Sequence, residues 1–226
     1  MRSSIDTSTA DWRFRAFVFD LDGTLTDSRP AIEKAAQMAI DRVAPSYSGR
    51  HVTAAIGPPI RQMFASVLQV TEPELLDALV ATFREVYDSD VCRETPAYPG
   101  VSELLARIAN GGASSFVLTN KPIVPTRLIL SSLGLESLVR EIVTPDSAHQ
   151  PFLSKTKALA ALLDRHGLSP ARTVMVGDSA DDAVAAEACG VAFAAALYGY
   201  GNLSAEAPVK NWLTIETPTD MILFLG

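Results

Sequence analysis

Five short apolar runs punctuate the chain, at Ala16 to Phe19, Ser115 to Leu118, Glu141 to Thr144, Thr173 to Val176 and Val191 to Leu197. Helical spacing of apolar positions fills most of the intervals between them. Short apolar runs alternating with helical stretches predict a parallel sheet with crossover helices, an α/β core. Between the first and second runs the pattern changes. From Pro30 to about Asp90 the periodicity is helical throughout, with Ile32, Ala36, Ala39, Ile40 and Val43 on one face. The reading is a helical insertion of residues 28–96, entered near Ser28 and left near Pro96-Ala97-Tyr98-Pro99-Gly100, which forms a lid on a core built from residues 1–27 and 97–226. Ile56-Gly57-Pro58-Pro59-Ile60 breaks the insertion's helices, with Pro58 or Pro59 at the first position of the next one.

The polar residues that follow the apolar runs carry the chemistry, because open α/β sheets hold their ligands at the carboxyl ends of strands. The first run exits into Asp20-Leu21-Asp22-Gly23-Thr24. Two carboxylates this close repel unless a cation, a proton or a hydrogen-bond network compensates, and a hard divalent metal is the natural partner. A strand followed by an ordinary Asp-Gly turn is the bland alternative. The second run exits into Thr119-Asn120-Lys121-Pro122, where Pro122 is placed to open a helix. Hydroxyl, amide and free backbone N–H groups then meet at a helix N-terminus, which favours an anion such as phosphate, although Thr and Asn also cap helices everywhere.

The fourth run leads into Gly177-Asp178-Ser179-Ala180-Asp181-Asp182 and then a helix. One acid there is explained by capping and the helix dipole; three are not. Lys155 and Lys157 open another amphipathic helix, where a cation is unfavourable to the dipole, so one of the pair is expected to serve an acidic site.

The totals narrow the function. A chain of 226 residues that is 48% hydrophobic fills a core, and a formal net charge of -7 disfavours nonspecific nucleic-acid binding. Cys92 and Cys189 are the two cysteines and suggest neither a disulfide framework nor a thiol metal site. Residues 1–13 form a polar tail without an apolar signal core, and no apolar run approaches a membrane span, so a cytoplasmic protein with no membrane partner is expected. His51, His149 and His166 show no ligand spacing, and Trp12, Trp212, Phe64, Phe83 and Tyr87 read as packing.

With these pieces in this order the chain resembles the haloacid dehalogenase superfamily of phosphohydrolases, over a stretch from Phe17 to about Leu197. Asp20-Leu21-Asp22-Gly23-Thr24 matches its first motif, Thr119-Asn120 its second, Lys155 its third, and Gly177-Asp178 with Asp182 its fourth. Asp-Leu-Asp-Gly-Thr-Leu-Thr-Asp-Ser and Ile-Gly-Pro-Pro are similar to the branch described as phosphoglycolate phosphatases or 5′-nucleotidases. Many relatives place Pro after the third-motif lysine, and Ser154-Lys155-Thr156-Lys157 does not.

The resemblance implies a Rossmann-like parallel-sheet core with a small inserted α-helical cap, and a small phosphomonoester as substrate. It implies that Asp20 attacks phosphorus, that Asp22 serves as acid and then base, and that Asp20, Asp178 and the Asp22 carbonyl hold Mg²⁺. It further implies that Gly23, Thr119, Asn120 and Lys155 hold the phosphoryl group, with Asp182 behind them. Arg61 of the cap is the expected reader of a substrate carboxylate or second phosphate. A phosphomutase of the same superfamily and a noncatalytic phosphate-binding regulator are the alternatives; no histidine occurs between Asp27 and Arg50, which favours hydrolysis over the mutase.

Overall fold

The computed structural model describes residues 13–52, 59–147, 154–201, 203 and 212–224. Six parallel strands form one sheet: β1 Ala16–Phe19, β2 Ser114–Leu118, β3 Glu141–Val143, β4 Thr173–Gly177, β5 Ala192–Ala196 and β6 Leu213–Ile215, in the order β3-β2-β1-β4-β5-β6. Alternate side chains point to opposite faces of the sheet. Phe17, Phe19, Val117, Val174 and Val176 belong to one apolar cluster, while Ala16, Val18, Phe116, Leu118 and Met175 belong to a second. Because both faces are covered, the central strands read as unbroken apolar runs.

Among the described residues of the insertion between β1 and β2 lie three α-helices: α1 Arg29–Val43, α2 Ile60–Leu68 and α3 Pro73–Tyr87. They pack chiefly on one another, α1 and α2 each against α3. Phe83 is the hub, edge-on to Phe64 and stacked on Tyr87 with ring centroids 5.1 Å apart. The apolar residues of the insertion are continuous with the first sheet cluster, which also takes in α4 Val101–Asn110 and α5 Ile123–Ser132. On the other face α6 Lys155–His166 and α7 Ala180–Ala188 cover the second cluster.

The insertion is not helical throughout. Ala44 lies before Pro45, whose ring disfavours the helical region for its predecessor, and Ala44 adopts φ -136° and ψ 58°. A 3-10 turn at Pro45–Tyr47 and a loop follow instead of a continued helix. Pro59 and Pro122 each precede the first helical residue, so both prolines stand one position before the place expected of them. Pro58, Ile56 and Gly57 lie outside the described residues, as do His149, Trp12 and residues 1–12 of the N-terminal tail. β6 had no counterpart in the hydropathy pattern: it is three residues long, at the sheet edge, and only Ile215 is buried. No helix among the described residues is long and apolar enough to cross a membrane.

Candidate active site

Strand order reverses between β1 and β4, and their carboxyl ends open the crevice in which such sheets bind ligands. Phe19 is level with Val176 on one side and Val117 on the other. That register brings Asp20, Asp178 and Thr119 to one rim from three adjacent strands. The Asp20 N–H donates to the Val176 carbonyl at 2.9 Å, and the Thr119 N–H to that of Val143 at 3.1 Å, so both are fixed by the sheet's own ladder.

Beyond Asp20 the chain turns back on itself, with the N–H groups of Thr24, Leu25 and Thr26 all directed at the Leu21 carbonyl. Gly23 in this turn has φ +84°, and a Cβ there would fall 2.0 Å from Asp178 Oδ2. The position therefore needs glycine twice over, for its backbone conformation and for the approach of the second acid. On the other side of Asp178, Tyr200 and Gly201 donate backbone N–H groups to Oδ2 at 3.1 and 2.8 Å.

Lys155 links the acids. Its helix begins at Ser154, whose hydroxyl accepts from the Lys157 N–H at 3.2 Å. The Lys155 ammonium is buried, 2.8 Å from Asp20 Oδ1 and 2.5 Å from Asp182 Oδ1. Asp182 is fully buried, and its other oxygen accepts from the Ser179 N–H and hydroxyl at 3.1 and 2.6 Å in a capping box at the start of α7. Lys157 is exposed, and Asp181 accepts instead from the Asn120 side-chain amide at 3.1 Å. Lys155 and Asp182, rather than their neighbours, therefore meet Asp20.

Burial pushes the Asp20 carboxyl well above the ordinary range against the pull of Lys155, with Asp182 and Asp178 adding to the rise. Asp178 is pushed up to about 6, mainly by burial, with the Gly201 N–H opposing. Lys155 is held as an ammonium, its burial outweighed by Asp20 and Asp182. Among the described residues, the carboxylates of Asp20, Asp22 and Asp182 are ion-paired with two ammoniums, those of Lys121 and Lys155, and the carboxylate of Asp178 with neither. The excess negative charge suits a hard divalent cation with oxygen ligands. Oxygens of Asp20, Asp178 and Asp182 lie within 4.8 Å of one another, and Asp182 is already taken up by Lys155 and Ser179. Asp20 and Asp178 are the side chains left for a metal; the Asp22 side chain is not in the cluster.

Sequence reasoning missed Lys121. It is buried, holds both Asp22 oxygens at 3.0 and 2.8 Å, and places its ammonium 4.8 Å from the centre of the Tyr87 ring. Asp22 keeps it charged against the effect of burial. The signal was available: Lys121 precedes α5 just as Lys155 opens α6, and the dipole argument applies to both. Tyr200, hydrogen-bonded to Ser28 at 2.8 Å, and Gly201 were also missed, and no spacing rule marks their loop. Tyr87, read as packing, faces the site as well as the insertion's core.

Over these groups opens a cavity of about 560 Å³, walled on the insertion side by Ile32, Ile60, Met63, Phe83 and Tyr87. Arg61 and Arg84 also line it. The Arg61 guanidinium is ion-paired with Asp77 and donates to the Pro73 carbonyl at 3.3 Å, so the expected reader of a substrate anion already has an anion.

The family model described as haloacid dehalogenase-like hydrolase matches residues 17–196. The chain is 33% identical over 195 residues to a phosphoglycolate phosphatase of Rhodospirillum rubrum, covering 82% of this chain and 80% of that one. It is 30% identical over 220 residues to an N-acetylmuramic acid 6-phosphate phosphatase of Pseudomonas putida, covering 92% and 95%. Among solved structures, a haloacid dehalogenase-like family hydrolase of Streptococcus pneumoniae superposes with a TM-score of 0.76 at 21% identity, covering 94% of this chain and 98% of that one, which is a likeness of fold.

Proposed function

The chain belongs to the haloacid dehalogenase-like hydrolases and is a phosphoric monoester hydrolase, and on that premise we propose that it is a Mg²⁺-dependent phosphatase of a small phosphomonoester, phosphoglycolate-like or a nucleoside monophosphate, working through an aspartyl-phosphate on Asp20. Residues 28–96 act as the cap over a core of residues 1–27 and 97–226. The observation that carries the reading is the buried Asp20–Lys155–Asp182 chain beside Asp178 at the strand-order reversal.

An Asp20 oxygen attacks phosphorus, the P–O bond to the alcohol breaks, and Asp22 supplies the proton the departing oxygen needs. Asp22 then takes a proton from water as that water attacks the phosphorus, which releases phosphate and restores Asp20. Both tasks require one Asp22 oxygen turned to the substrate, so Lys121, which here holds both oxygens, keeps one of them while the other carries the proton. The Thr119 hydroxyl, the backbone around Asn120 and at Gly23, and the Lys155 ammonium orient phosphoryl oxygens and balance their charge, the work that dominates phosphoryl transfer. Asp182 keeps Lys155 aimed at Asp20. Asp20, Asp178 and the Asp22 carbonyl are the groups suited to hold Mg²⁺, which when bound offsets the repulsion between carboxylate and phosphate.

The test is phosphate release from an aryl phosphate by wild type and Asp20→Asn, with Mg²⁺ or EDTA. Metal-dependent release that falls below detection in a folded Asp20→Asn protein is expected, because the amide is no nucleophile. Substantial activity in the variant rejects the nucleophile assignment, and equal release in EDTA rejects the metal.

A further inference from the structure

The insertion side of the cavity carries information about the alcohol that leaves. Once the phosphoryl group lies at Asp20, the rest of the substrate faces the wall formed by Ile32, Pro59, Ile60, Met63, Phe83 and Tyr87, in a cavity of about 560 Å³. These are aliphatic and aromatic surfaces, and the cavity is large for a two-carbon acid. Such a wall favours a ring or apolar face, which leaves water on binding, and penalises an ionised group that finds no partner.

Among the described residues four cations line the cavity: Arg61, Arg84, Lys121 and Lys155. Each has a carboxylate beside it. Arg61 pairs with Asp77, Arg84 lies 3.8 Å from Asp88, Lys121 pairs with Asp22 at 2.8 Å, and Lys155 bridges Asp20 and Asp182. A carboxylate on the leaving group would have to displace one of these acids, exchanging one ion pair for another with little net gain.

We infer that the substrate is the phosphomonoester of an uncharged, ring-bearing alcohol, and that a carboxylated leaving group such as glycolate is discriminated against. The inference rests on the phosphatase reading and selects among the substrates that reading allows. It parts company with the names of both the Rhodospirillum rubrum and the Pseudomonas putida relatives, since glycolate and N-acetylmuramic acid each carry a carboxylate; the two names differ in the alcohol, a two-carbon acid in one and a ring in the other.

The experiment compares kcat/KM for benzyl phosphate, a nucleoside 5′-monophosphate and 2-phosphoglycolate, all esters of alkanol-type hydroxyls, with an aryl phosphate as a control for turnover. It uses wild type and Asp77→Asn, which frees Arg61 at an exposed position. Wild type is expected to prefer at least one uncharged ring ester over 2-phosphoglycolate by about tenfold or more, the scale of a well-filled apolar pocket. The better of the two ring esters tells an apolar ring from one with polar edges. Asp77→Asn is expected to raise kcat/KM for 2-phosphoglycolate by about two- to fivefold, the scale of an exposed ion pair, and to leave benzyl phosphate unchanged.

Wild-type preference for 2-phosphoglycolate overturns the inference. So does turnover of the aryl phosphate with neither ring ester hydrolysed, or an equal gain on all substrates in Asp77→Asn. Absence of release from every ester, the aryl control included, counts instead against the phosphatase reading.

Discussion

The floor and the roof of the cavity are built on opposite principles. The floor, at the carboxyl ends of β1, β2 and β4, consists of buried charges held by fixed partners: Lys155 touches two acids, Asp182 is fully buried, and Asp178 accepts two backbone N–H groups. The roof, formed by α1, α2 and α3, consists of apolar side chains with arginines paired to acids on the insertion itself. Charges in a low-dielectric floor act strongly and tolerate no loss of a partner, whereas an apolar wall acts through area and shape and degrades gradually. On the function proposed above, chemistry belongs to the floor and choice of alcohol to the roof.

Substitutions should separate the two sharply. Lys155→Met leaves Asp20 and Asp182 buried without their shared cation, so it is expected to cost about 3–5 kcal/mol of stability and to lower kcat on the order of 10²–10³-fold, read by urea unfolding and steady-state assay. A stable, active Lys155→Met would break the comparison at its firmest point. Gly23→Ala forces a side chain into φ +84° and against Asp178, and is expected to cost about 1–3 kcal/mol together with loss of activity that added Mg²⁺ does not restore. In the roof, Phe83→Leu should raise KM about two- to tenfold for a ring ester and leave kcat nearly unchanged, as removal of uniform binding does. A fall in kcat alone would mean the roof takes part in the chemistry. Lys157→Ala, on the exposed side of α6, should change stability by less than about 0.5 kcal/mol and leave activity as it was.

The same division explains what could be read from sequence. Three floor residues announce themselves because each follows an apolar strand, and the strand fixes where it will stand: Asp20 after Phe19, Thr119 after Leu118, Asp178 after Gly177. Lys155 was legible as a cation at the wrong end of a helix; Lys121 carried the same sign and was passed over. The roof has no such grammar. Helical periodicity identified α1 through Ala36, Ala39 and Ile40, yet it could not say that Tyr87 also faces Lys121, nor that Asp77 would occupy Arg61. Those facts depend on how three helices pack and on exposed ion pairs sixteen residues apart, which no local pattern encodes. The edge strand β6 and the Tyr200–Gly201 loop escaped for a related reason, since their order comes from neighbours that are distant in sequence.

The measurement that tests the account most directly is acid quenching of the enzyme during turnover of an aryl phosphate, followed by peptide mapping by mass spectrometry. The account predicts a phosphoryl group on the peptide that carries Asp20, present in wild type and missing in Asp20→Asn. Rapid phosphate release with the phosphoryl group on another residue would contradict the assignment of the floor.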